Sequence, residues 1–187
     1  MEKKKLTEMT LEELWHLFPI NLTEHRQCWQ EWYLEEEQIL VESLPIFERI
    51  SHIGSTAVSS IWAKPIVDIL IEIPQERSFS EYEKSIINNG YTCMSESDDR
   101  ISFNKGYTEK GFSEQVFHLH LRYSGDNDEL YFRDYLIEHP SVAKDYEKLK
   151  LELWKKYEYN REAYTDAKSD FIHKYTKIAR DKYKNKY

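Results

Sequence analysis

Apolar positions along the chain change period several times, and each change marks an element. Thr10-Leu-Glu-Glu13 reads as a capping box before a short amphipathic run to about Leu17, and Asn21-Leu-Thr-Glu24 reads as a second. From Glu24 to Ser43, Cys28, Trp32, Ile39 and Leu40 recur mostly at helical spacing, which predicts one long helix stopped by Pro45. Ile46 to Ile53 alternates and reads as a strand, residues 56–63 as a short helix. Ile66–Ile73 is almost continuously aliphatic, as expected of a strand inside its sheet. Phe79 to Asn89 predicts a helix closed by Asn89-Gly90. Tyr91–Met94 and Arg100–Lys105 read as short strands around a polar loop, and Gln115–Tyr123 alternates as the last strand. Helices follow over Glu129–Glu138, Ser141 to about Tyr157, and Tyr164 to about Tyr183. The order predicts an α+β fold: a small mixed β-sheet covered by helices, with a helical C-terminal subdomain. One domain over 1–187 is expected, with N-terminal helices over about 1–44, the sheet core over 45–124 and C-terminal helices over 125–187.

Composition narrows the function classes. The net charge of −8 argues against a surface built to coat nucleic acid, because phosphate binding needs a basic excess. The charge is uneven: residues 139–187 are net basic by about five. A basic C-terminal helix could hold an anionic ligand or simply be a solvated face. Two cysteines without a CxxC pattern give no disulfide framework. The N-terminal stretch MEKKKLTEMTLEELW lacks an apolar targeting core, and no run is long enough for a membrane span. A soluble protein of the reducing cytoplasm is expected.

The chemistry concentrates in residues 52–70, HIGSTAVSSIWAKPIVDIL. Gly54, Ser55 and Thr56 follow one strand, and backbone N–H groups and hydroxyls there suit a phosphate. Asp68 lies inside the next strand and could hold a divalent cation that bridges phosphate oxygens. The plainer reading makes Gly54-Ser55 a turn with Ser55 as its cap.

This segment, extended to HIGSTAVSSIWAKPIVDILIEI, resembles the core motif of the GrpB family, and FHLHL at 117–121, LYFRDYLIEHP at 130–140 and YTDAK at 164–168 agree with it in order. The resemblance runs from about Leu17 to Ala179 and implies a nucleotidyltransferase-like fold; a similar domain occurs fused to dephospho-coenzyme A kinase. Ser59-Ser60 stand where the family usually has Pro-Gly. Active members of the wider superfamily usually carry Asp-x-Asp or Asp-x-Glu on this strand, and here the residue two beyond Asp68 is Leu70. Glu72 shares the face of Asp68, but four strand residues span about 13 Å, too far to share an ion. His118 and His120 alternate on one face of the last strand and are the expected replacements, as metal ligands with Asp68, as a general base, or as a phosphate clamp. A solvated strand face is the alternative.

Lys64, Arg133 and Lys168 are the remaining candidates for gripping phosphate, each set against a surface lysine or a helix-surface ion pair. His52 reads as packed rather than catalytic, and the aromatic residues at helical spacing as core. Two functions follow: nucleotidyl transfer from a bound nucleotide to an acceptor, with Asp68, His118 and His120 catalytic and a divalent metal (Mg, Mn or Zn) at the same three residues; or a catalytically inactive module of the same fold that binds a nucleotide, another phosphorylated small molecule or a metal.

Overall fold

A computed structural model describes residues 4–184 and 186–187. Its centre is one five-stranded mixed sheet of β1 (Arg49–Ile53), β2 (Val67–Ile73), β3 (Thr92–Glu96), β4 (Arg100–Thr108) and β5 (Gly111–Tyr123), ordered β1-β2-β5-β4-β3. Only β2 and β5 pair in parallel. A parallel pair needs a long crossover, and here it contains α3 (Ser80–Asn88), β3 and β4. The architecture is α+β, with β2 flanked on both sides as its aliphatic run demands.

The two faces of the sheet differ. Val67, Ile69, Ile71 and Ile73 of β2 lie with Phe117, Leu119 and Leu121 of β5 against Trp29 and Leu40 of α2 (Cys28–Ser43) and Tyr82 and Ile86 of α3, forming the main core. Each fully buried aliphatic side chain there contributes about 1.5–3 kcal/mol. The other face carries Asp68, Leu70 and Glu72 beside His118, His120 and Arg122, because successive strand residues alternate sides. It is roofed by α4 (Asp128–Glu138), α5 (Pro140–Tyr157), α6 (Arg161–Asp166) and α7 (Ser169–Lys182). The site forms where this polar face meets the roof helices. The remaining helix, α1 (Leu11–Leu17), starts at the capping box read from Thr10 and Glu13.

Three expectations need correction. Residues 56–63 are not a helix: a single 3-10 turn covers Ser55–Ala57, and Val58 and Ile61 then drop into the cluster formed with Leu136, Ala143 and Tyr146. α2 begins at Cys28 rather than Glu24, because Thr23 is held in a backbone bridge to Ala63. The last helix is two. Asn160 caps α6, and the chain breaks at Ala167-Lys168 before α7. Among the described residues no helix is long and apolar enough to cross a membrane.

Candidate functional site

Gly54 links β1 to the 3-10 turn with φ of +72°, a conformation that side chains rarely adopt. A Cβ at this position would also meet Asp68 Oδ2 at 2.3 Å. The small residue therefore lets the backbone lie against the one carboxylate of the site. Asp68 keeps 26% of its side chain open, and that opening faces a cavity rather than packed core.

Register then supplies the imidazoles. Asp68 sits opposite His118 and Leu70 opposite His120, so both rings lean toward the same carboxylate. His118 Nδ1 is 3.3 Å from Asp68 Oδ1, and His120 Nε2 is 3.6 Å from that same oxygen, a charge contact longer than a hydrogen bond. The far nitrogens are also engaged. Arg161 donates to the Tyr107 hydroxyl (3.0 Å), which leaves its one proton for His118 Nε2 (2.7 Å). Arg122 has only donors to offer His120 Nδ1 (3.4 Å). These contacts assign the ring protons to the nitrogens facing Asp68. Burial works to raise the Asp68 pKa, but His118 and then His120 overcome it and hold the carboxylate well below its usual range. Burial lowers the His118 pKa, against the pull of Asp68, so the ring is neutral near pH 7.

Beside this carboxylate lies a cavity of about 190 Å³ whose lining includes Ser55, Lys64, Lys150, Lys168, Asp68 and His118. Three lysines thus share one small space with a single carboxylate. Lys150 is 2% exposed and donates to Ser55 Oγ (2.9 Å) and to the Trp62 carbonyl. Lys64 and Lys168 stand over the ring of Tyr164 at 5.2 and 4.3 Å from its centroid. Burial, with Lys168 and Arg161 adding repulsion against the pull of Asp68, lowers the Lys64 pKa to about 7. Burial and Lys168 bring Lys150 to about 7; burial, opposed by Asp68, brings Lys168 to about 8. Each value records how poorly the positive charge is compensated. On the other side of Asp68, Gly54 and Ser55 opens a wider groove of about 480 Å³, with Ile53, Phe132, Leu136 and Ile172 among its walls.

Not every candidate reaches the cavity in a usable form. Thr56 lines it, but its hydroxyl donates to the Ile66 carbonyl and contacts His52 Nε2. Arg133 faces the groove with its guanidinium spent on the His52 carbonyl, Asp134 and Tyr187. His52 is buried, stacks on Tyr33 and falls to about 4 through burial, in keeping with a packing role. Glu72 is 2% exposed and held by Gly125 N–H, Asn127 and Arg49, away from the cavity. The phosphate reading of Gly54-Ser55 gains nothing from a helix dipole, since one 3-10 turn has little; Ser55 Oγ and the lysines carry it.

The metal-ligand reading of Asp68, His118 and His120 does not fit the donor set. A metal there would have to displace the ring protons that these contacts assign to the nitrogens facing the carboxylate, and three lysines adjoin it. Among the described residues no group of three His, Cys, Asp or Glu side chains is placed to hold an ion. Sequence reading missed Lys150, Tyr107, Arg161 and Tyr164. For Lys150 a signal existed, because it follows Ala143 and Tyr146 at helical spacing on the buried stripe of α5.

Comparison with known proteins gives consistent matches. The family described as GrpB protein matches residues 19–178. The glutamate-rich protein GrpB of Alkalihalophilus pseudofirmus is 33% identical over 81% of this chain and 90% of its own length. The UPF0157 protein YqkA of Bacillus subtilis is 32% identical over 91% of this chain, which spans about half (51%) of that protein. The crystal structure of conserved protein GrpB from Enterococcus faecalis superposes with a TM-score of 0.75 at 30% identity, over 87% of this chain and 99% of that one.

Proposed function

The chain belongs to the GrpB family, and from that premise we propose that it binds a nucleotide or another phosphorylated small molecule on a nucleotidyltransferase-like scaffold. The phosphate end lies among Ser55, Lys64, Lys150 and Lys168, with the organic remainder in the groove beyond Asp68. One observation carries this reading: buried Lys150 and half-buried Lys64 and Lys168 converge on a cavity that offers one carboxylate between them. Buried charge is costly when unpaired, and a phosphate with about two negative charges is the partner of matching chemistry. At about 190 Å³ the cavity is smaller than the roughly 300–1,000 Å³ that enclose a whole drug-sized ligand, which suits a phosphate group alone.

The chain of Arg161, Tyr107, His118 and Asp68 favours a second reading, nucleotidyl transfer, because it places a neutral imidazole at the cavity wall. In that reaction an acceptor oxygen bonds to the α-phosphorus, the bond to pyrophosphate breaks, and the acceptor's proton reaches His118 Nε2 by way of the Tyr107 hydroxyl that donates to it. Leu70, buried with Ile53 and Leu130, weighs against the superfamily's usual two-carboxylate form of it.

Calorimetric titration with ATP, other nucleotides and pyrophosphate tests the binding reading. Saturable binding, weakened roughly tenfold by Lys168→Gln, is the expected result, since a charge-assisted hydrogen bond contributes about 1.5–3 kcal/mol. Absence of saturable binding to any of these anions would remove the proposal. Release of pyrophosphate from a nucleoside triphosphate would establish the transferase reading.

A further inference from the structure

Resting on the phosphate reading above, we infer that this site takes the phosphate end of its ligand without a divalent cation, Lys64, Lys150 and Lys168 supplying the positive charge that a metal would otherwise bring. Asp68 is the one carboxylate lining the cavity, and the next residue on its face, Leu70, is fully buried beneath α4. Glu72 is committed to Gly125 and Asn127. A hard cation such as Mg2+ wants several oxygen ligands and keeps waters on the rest of its shell. In the cavity it would find one carboxylate, with its Oδ1 3.3 Å from His118 Nδ1 and its Oδ2 against the Gly54 backbone; Asp128 and Glu129 line only the groove, where Asp128 pairs with Arg180.

A softer cation that accepts imidazole fares no better. Tyr107 and Arg122 face the far nitrogens with donors, so a metal at the Asp68-facing nitrogens would have to displace a proton from each ring and leave the far nitrogens protonated against those donors. Any dication at this point would also adjoin three lysine amines, whose protonation it would oppose. An anion meets the opposite field. Lys64 enters from the loop before β2, Lys150 from α5 and Lys168 from the α6–α7 break, so a phosphate is approached from three directions. The role of Asp68 changes accordingly. It holds the two histidines and opposes the field of the lysines, and it does not carry an ion.

Two measurements decide this. The first is the affinity for pyrophosphate and for ATP in EDTA and again in excess Mg2+ or Mn2+. Binding in EDTA at least as tight as with metal is expected. The second is Asp68→Asn, which retains the acceptor for His118 and removes the negative charge beside the lysines. Its affinity for pyrophosphate is expected to rise several-fold, whereas a metal-bridged site would lose binding. Binding that requires Mg2+ or Mn2+, and disappears in Asp68→Asn, would overturn the inference and leave the phosphate reading standing. No binding under any condition would overturn both. Circular dichroism on the variant separates loss of binding from loss of fold, and Lys64→Gln, weakened equally in EDTA and in Mg2+, is the second variant that the inference requires.

Discussion

Asp68 and Glu72 lie four residues apart on one strand and one face, yet their surroundings are opposite. Glu72 is 2% exposed; its Oε1 accepts from the Gly125 N–H and the Asn127 amide, and its Oε2 makes a 3.4 Å charge contact with Arg49 and no hydrogen bond. Asp68 opens onto a cavity in which the cations outnumber it. At Glu72 donors and charges are arranged around the carboxylate, and the result is structure. At Asp68 the excess is positive, and a folded chain keeps buried cations unbalanced only at a cost in stability. The difference separates a residue that holds the fold from a place where something else is meant to bind.

The largest expected break of this contrast is Glu72→Ala. Removing it strands Asn127 and Arg49, and denaturant unfolding should show a loss of about 2–3 kcal/mol with pyrophosphate affinity unchanged. Gly54→Ala comes next, at about 1–3 kcal/mol, because it combines a left-handed backbone with a Cβ driven into Asp68; unlike Glu72→Ala, it should also abolish anion binding. Lys64→Gln and Lys168→Gln should do the reverse of Glu72→Ala. Each should raise stability, by about 1 kcal/mol, while weakening anion affinity roughly tenfold.

A pH series sharpens the same contrast. Unfolded lysine keeps its proton to about pH 10.4, whereas Lys64 and Lys150 lose theirs near 7 and Lys168 near 8. Between about pH 7 and 10 the unfolded chain therefore binds more protons, and stability of the free protein should rise with pH. The groups facing these lysines are Asp68, Glu147, Arg161, His118, Tyr146 and Tyr164; the tyrosines are raised by burial, which ends the rise above about pH 10. Melting temperatures across that range test the slope, and saturating pyrophosphate should flatten it. The smallest effect belongs to Tyr107→Phe. It removes the hydroxyl between Arg161 and His118, should cost about 1 kcal/mol, and should alter the His118 ring nitrogen resonances with little change in affinity.

Much of this was legible in the residue pattern. Strict alternation in FHLHL put His118 and His120 on one side, and the aliphatic run around Asp68 required a strand paired on both edges. A small-residue turn after a strand pointed to Gly54, but the physical reason for its glycine, contact with Asp68, is a tertiary one. Lys150 was hidden because a lysine on a helix ordinarily signals a solvated face, and only its spacing from Ala143 and Tyr146 argued otherwise. Lys168 was legible as a candidate, yet its position depends on a helix break at Ala167-Lys168 that the periodicity ran straight through. Arg133 looked like a phosphate clamp, and the partners that occupy it, the His52 carbonyl and Tyr187, come from distant parts of the chain.

The most direct test of the central claim, a lysine cage left short of negative charge until an anion enters, is proton uptake on binding. Pyrophosphate titrated at pH 8 in buffers of different ionisation enthalpy should draw about one or more protons per anion into the protein, beyond those the anion itself exchanges, as Lys64, Lys150 and Lys168 recharge. Binding with no net uptake by the protein at that pH would mean that these lysines are already charged and balanced, and would contradict the account.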